Sequence, residues 1–216
     1  MLFLSFLNSS GSLQEKIIFF LFFIIALAFS LTIHEFTHAW VANRLGDSTA
    51  RLMGRLTLNP IAHLDLWGTV FLFLAGFGWG KPVIVNPRNF NHPVLDNVTV
   101  SLAGPMSNLA LAVIFGLILR FTHLESGIVY SLIFIIIFYN LVFMIFNLIP
   151  IPPLDGSKIY GFFLSEESYI ALERMGSILL FGFIIFSLWV YPIIPMILNR
   201  VIPFFFTLIT GQSANM

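Results

Sequence analysis

Apolar residues along this chain come in long unbroken runs, and the polar residues gather in the connections between them. Four runs, from Ile17 to Val41, Asn97 to Leu119, Ile128 to Ile149 and Met175 to Val190, are each near the roughly 20 residues a helix needs to cross a bilayer. Two shorter segments complete the pattern. Leu66 to Gly80 is apolar but Gly-rich and too short to span, so it reads as a membrane-skimming or re-entrant segment after the first helix. Ile193 to Ile209, broken by Pro195 and Pro203, reads as an interfacial segment or a short extra span. The pattern therefore predicts four to six crossings. Lys16 and the Ala26-Leu27-Ala28 triplet resemble the ends of a signal peptide, but the apolar run continues past them without a break, which favours a retained span.

Composition sharpens this to an all-α integral membrane protein, a polytopic helical bundle. Only 9% of residues are charged and 58% are hydrophobic, whereas a soluble domain carries about 25% charged residues. Zero net charge and the lack of any Lys/Arg cluster exclude nucleic acid as a partner and leave the lipid bilayer. With no cysteine there is no disulfide framework, and a metal site would have to be built from His and carboxylate. The longest polar connection carries Arg44, Arg51, Arg55, Lys81 and Arg88 against Asp47 and Asp65, which places it in the cytoplasm and the N-terminus outside. Within it, the alternating Leu52, Leu56 and Leu58 and the β-branched stretch Pro82 to Val85 predict a small β element, two short strands whose free edge could pair with an extended peptide.

The chemistry concentrates in His34-Glu35-Phe36-Thr37-His38, inside the first run. Ionisable groups in a spanning helix are costly and are tolerated where they face a cavity, a partner or a metal. Four-residue spacing stacks His34 and His38 on one helix face, able to share one ion, and turns Glu35 aside to handle a water, the logic of the HExxH zinc-hydrolase motif. The motif lies about 15 Å from the cytoplasmic exit at Arg44. A catalytic zinc needs a third protein ligand. Val41 and Arg44 stand where a metzincin would need Gly and His, and His123 and Glu125 fall on the opposite side of the membrane. Asp155 falls on the motif's own side, after a break made by Pro150, Pro152 and Pro153. Those prolines force the backbone to unwind, which at membrane depth is tolerated in a packed or wet cavity. Asp155 is thus either a ligand or a turn residue opening the next helix.

His34-Glu35-x-x-His38 together with Asn147-x-x-Pro150-x-x-Pro153-Leu154-Asp155-Gly156 resembles the site-2 protease family of intramembrane zinc metalloproteases. Gly104-Pro105-Met106-Ser107-Asn108 is similar to that family's Gly-Pro-x-x-Asn stretch. The resemblance covers about residues 15 to 165. It implies one zinc held by His34, His38 and Asp155, Glu35 as general base, Asn147 near the scissile peptide or its oxyanion, and a three-helix catalytic core. It implies a transmembrane protein as substrate. The match contains no PDZ-like insertion and no regulatory domain, so the chain reads as one membrane domain over 1–216, with a catalytic core to about 165 and extra C-terminal helices from about 166 to 216.

Other classes leave different traces. A metal transporter, or a non-proteolytic metal-binding membrane protein, could also place histidines four apart, but transporters spread ionisable residues over several helices and show internal repeats, and here there is one cluster and no evident repeat. A prenyl-protein type of membrane protease would take Glu166, Glu167 or Glu173 as third ligand and leave the Pro-rich Asp155 motif idle. The remaining polar residues read more plainly. His63 and Asp65 suit a turn, with a possible access role for His63, and His92 and the Glu166-Glu167 pair suit caps or the interface. Gly104-Pro105 suits a kink or a close helix approach, and Asn108 goes with it.

Overall fold

The computed structural model describes residues 12–75 and 78–212, without the side chains of 73–77. Its first helix, α1 (Leu13–Arg44), opens with a capping box in which Ser12 and Glu15 each accept from the other's backbone N–H, and it ends with Arg44 in the last turn. Arg44 also lies over the Trp40 ring, 5.2 Å from its centroid, an arrangement suited to a helix end at a membrane interface. A short helix α2 (Thr49–Leu52) follows, then α3 (Leu66–Ala75), α4 (Pro93–Thr122), α5 (Ile128–Asn147), a 3-10 segment Asp155–Phe162, α6 (Glu166–Arg174), α7 (Gly176–Trp189) and α8 (Ile193–Thr210).

Four of these, α1, α4, α5 and α8, are long and apolar enough to cross a membrane, and α6 with α7, bent by 53° at their junction, make a fifth if taken as one span. The protein is a multi-pass membrane protein. The expected fourth span, Met175 to Val190, is instead the 14-residue α7, too short to cross alone, whereas the proline-broken segment after it forms the 18-residue α8 despite Pro203.

Helices in lipid gain little from the hydrophobic effect when they meet, so close packing at small residues holds them together. Ala26, Ala39 and Ala42 of α1 and Ala112 of α4 are fully buried. Gly116 of α4 is so close to Ile209 of α8 that an added Cβ would overlap it. The largest buried cluster joins Ala112 and Leu119 of α4, Ile137, Leu141 and Met144 of α5, and Ile202 and Phe206 of α8. The expected core of the first three spans is corrected: the largest buried cluster joins α4 and α5 to α8, with no residue from α1. Large apolar side chains such as Leu21, Ile25, Ile114 and Phe181 face outward, as lipid contact requires.

The expected β element is corrected. No strand occurs among the described residues; the one pairing is an isolated antiparallel bridge between Leu64 and Gly80. Between Arg51 and Leu58 the leucine alternation loses to local turn chemistry. Asp47 accepts from the Thr49 N–H and hydroxyl, and the chain then closes on itself through Met53 N–H to Thr49 O, with Gly54 in the left-handed region at φ 71°. Residues 81–86 form no strand; side-chain acceptors rather than a neighbouring strand take the N–H groups of Val83 and Asn86.

The ten-residue α3 cannot span, and the chain returns so that Gly80 meets Leu64. A Cβ on Gly68 would overlap the Trp79 backbone, and one on Gly78 would overlap the Gly68 carbonyl, so these glycines permit the close approach.

Candidate metal centre

Helix α1 presents His34 and His38 on one face, both buried, with ring centroids 4.6 Å apart and planes at 83°. Each ring is aimed by the bond its Nδ1 makes. His34 Nδ1 lies 2.6 Å from Asn108 Oδ1, and His38 Nδ1 lies 2.7 Å from the Val100 carbonyl, so α4 orients both rings. A carbonyl can only accept, so these bonds put the proton on Nδ1 and leave the Nε2 lone pairs pointing inward.

The two Nε2 atoms are 3.0 Å apart. Asp155 completes the group: the Pro-rich break after α5 carries it to 3.2 Å from His34 Nε2 and 3.3 Å from His38 Nε2. Its Oδ2 is buried and has no hydrogen bond. Three electron-pair donors thus converge within 4.8 Å with no proton assigned between them, an arrangement that fits a cation. Two imidazoles and one carboxylate form a donor set suited to catalytic zinc. Asp155 opens the 3-10 segment, so its turn position and its place in the donor group coincide.

Gly104 makes room for this group. An added Cβ there would overlap His38 Nε2 and His34 Cε1. Gly104→Val is therefore expected to push the imidazoles apart and lower zinc content severalfold, measured on the purified protein against Gly182→Ala, whose Cβ would meet nothing. Pro105 lies inside α4 beside it, and Ser107 Oγ donates to the Gly104 carbonyl at 2.7 Å.

Glu35 faces a cleft of about 520 Å³ that also exposes His34, His38, Asn147 and Asp155. The irregular strap 81–86 lines it through Pro82, Val83, Ile84 and Val85, and its Val83 N–H donates to Glu35 Oε2 at 3.0 Å. Asn147 lines the same cleft, with its Nδ2 donating to the Phe143 carbonyl at 3.0 Å. The far wall carries Lys158 paired with Glu173 at 2.7 Å, and Tyr169. The residues expected at the site, His34, Glu35, His38, Asn147 and Asp155, thus share one cavity, with Gly104 and Asn108 directly against the histidines.

His63 lies elsewhere. It is fully buried in the connection and its Nε2 donates to the Thr57 carbonyl at 2.9 Å, while Asp65 Oδ1 caps the Gly68 N–H at 2.8 Å, the turn role expected of both. His92 precedes α4 and makes no side-chain cap, and Glu166 and Glu167 sit in the first turn of α6.

Only its charge marks Asp47 in the sequence. It is fully buried, and besides Thr49 it accepts from the Asn86 N–H and Asn89 Nδ2, both at 2.7 Å, which moors the strap to the end of α1. Burial pushes its carboxyl up, but the bonds from the Thr49 hydroxyl, the Asn86 N–H, Asn89 and the Thr49 N–H outweigh this and hold it below its ordinary value. A depressed folded-state pKa contributes stability that is present above the unfolded value, about 3.9, and is lost as pH falls through the folded one. Asp47→Ala is expected to destabilise the connection by about 2–3 kcal/mol and to increase proteolysis between Arg44 and Arg88 at neutral pH, with the difference from the unsubstituted chain shrinking under acid conditions.

A buried two-histidine, one-carboxylate group beside a glutamate, in a bundle of membrane-spanning helices, defines a membrane-embedded metallohydrolase. Comparison with known proteins agrees. The sequence profile of peptidase family M50 matches residues 22–126 and 122–190. YwhC of Bacillus subtilis is 43% identical over 181 residues, covering 80% of this chain and 81% of that protein. Rip2 of Mycolicibacterium smegmatis is 35% identical over 149 residues, covering 66% and 57%, and MJ0611 of Methanocaldococcus jannaschii is 30% identical over 147 residues, covering 67% and 71%. All three carry provisional zinc metalloprotease names. No solved structure matches the chain at a significant level. The chain belongs to peptidase family M50, the site-2 protease family, and is an intramembrane zinc metalloprotease.

Proposed function

We propose that His34, His38 and Asp155 hold the zinc, that Glu35 is the general base, and that the substrate is a transmembrane segment of another protein cleaved at the cytoplasmic side of the membrane. The observation that supports this most is the convergence of both Nε2 atoms and the orphaned Asp155 Oδ2 on one point that opens into the Glu35 cleft. Zinc in such a donor set supplies Lewis acidity, which makes water acidic enough to ionise near neutral pH and polarises a peptide carbonyl.

The chain's own groups do the rest. Glu35 borders the cleft with Oε2 held by the Val83 N–H, and its carboxylate takes a proton from the attacking water and returns it to the leaving amine. Asn147 borders the cleft, and its amide N–H groups are suited to a substrate carbonyl or the oxyanion that develops from it, once Nδ2 leaves the Phe143 carbonyl. A helical peptide hides its carbonyls in its own hydrogen bonds, so the substrate must unwind to enter. The proposed site residues all come from the first part of the chain, about 15 to 165; helices from about 166 to 216 add to the same membrane domain.

The orientation rests on the basic connection: Arg44 closes α1, and Arg51, Arg55, Lys81 and Arg88 lie between α1 and α4. The chain has no cysteine, so single cysteines report topology cleanly. A cysteine at Arg51 is expected to react with an impermeant maleimide only after the cytoplasmic face is opened, and one at Glu125 in intact cells. The reverse pattern would place the site near the outer face.

A further inference from the structure

A chain of buried amides leads away from His34 through the bundle. Asn108 Oδ1 accepts from His34 Nδ1, and Asn108 Nδ2 donates to the Ser30 carbonyl at 3.2 Å and to Asn140 Oδ1 at 2.8 Å. Asn140 Nδ2 in turn donates to Ser30 Oγ and to the Ile136 carbonyl, both at 2.8 Å. Ser30, Asn108 and Asn140 are all fully buried, on α1, α4 and α5 respectively.

The direction of this chain is set by two fixed acceptors, the Ile136 carbonyl at Asn140 and the Ser30 carbonyl at Asn108. If the Asn140 amide turned over, its oxygen would face the Ile136 carbonyl, and two acceptors cannot bond. With Asn140 so fixed, an Asn108 turned over would point its oxygen at both Asn140 Oδ1 and the Ser30 carbonyl. Only one arrangement leaves every group partnered, and it presents an oxygen to His34. That oxygen keeps the proton on Nδ1 and the lone pair on Nε2, which is the form that binds metal.

We infer that Asn140 is a positioning residue: it touches neither metal nor substrate, yet together with the Ser30 carbonyl it holds Asn108 in the orientation that selects the metal-binding tautomer of His34. The inference rests on His34 being a zinc ligand. It is read in full-length protein labelled with ¹⁵N-histidine, purified in detergent, by the imidazole nitrogen shifts of the metal-free form and by zinc affinity against a chelating dye. The unsubstituted chain is expected to show His34 as the Nδ1–H tautomer. Asn140→Leu, of similar size without an amide, should give mixed tautomers and bind zinc about tenfold more weakly, within the range for groups behind a ligand. Asn140→Ala, which adds no branched side chain, should do the same and guards against a variant that fails to fold. Asn108→Asp placed in the Asn140→Leu chain should restore both readings, because a carboxyl offers His34 an oxygen whichever way it turns. An Nδ1–H signal and affinity unchanged in both Asn140 variants would overturn the inference. So would a loss that Asn108→Asp leaves unrepaired, the result expected of a packing role alone. His34→Ala separates the two levels: zinc loss there with intact binding in the Asn140 variants defeats only this inference, whereas retained zinc defeats the ligand assignment itself.

Discussion

Glu35→Gln is expected to slow cleavage of a single-span membrane substrate by about 10²–10⁴-fold, the range for a positioned general base, with zinc content unchanged. The reason is geometric. Glu35 is turned off the histidine face of α1 and meets the strap rather than the donor group, its Oε2 held by Val83 N–H at 3.0 Å. Glutamine keeps the size of the side chain and can still accept that bond, but it cannot carry a proton back and forth. The variant should therefore bind substrate and hold it, which makes it the form for capturing the natural substrate. Quantitative zinc analysis and a gel-based cleavage assay check the two halves separately. Full activity in Glu35→Gln would remove the residue from the chemistry.

Asp155→Ala is expected to weaken zinc binding by more than about 100-fold, beyond what changes behind the ligands cause, and to remove cleavage with it. His34→Ala and His38→Ala should match it. The carboxylate supplies the only negative charge in the group and one of its three donors, and its removal leaves two imidazoles with no compensating partner. Asp155→Asn is informative beside it, because an amide oxygen keeps the shape and loses the charge. Dialysis against graded chelator, read by bound zinc, orders the variants. Unchanged binding in Asp155→Ala would take Asp155 out of the ligand set and return it to its turn role at the start of the 3-10 segment.

How far the site could be read from sequence depended on whether a residue acts through local spacing or through long-range packing. His34 and His38 were legible because helix periodicity alone puts them on one face. Asp155 was legible only as an acidic group on the correct side after a proline break; its approach to both Nε2 atoms depends on how the unwound segment folds back towards α1. The β element does not form because alternation over a few residues competes with local structure: Leu52 closes the short helix α2, and Glu35 takes the Val83 N–H that a strand partner would have used. Asn140 carries a weaker signal, as an amide in an otherwise apolar stretch of α5, seven residues before Asn147 and hence on nearly the same face. The prolines of α8 suggest a break, whereas Pro203 is accommodated within a helix whose buried face includes Ile202 and Phe206.

The most direct test of the central claim is cleavage of a purified single-span substrate by the purified full-length chain in detergent, with the product ends located by mass spectrometry, before and after chelation and zinc return. The account predicts a cut within the transmembrane segment, its loss on chelation, its recovery with zinc, and no recovery in Glu35→Gln. Cleavage that persists in chelated protein and in Glu35→Gln alike would contradict it.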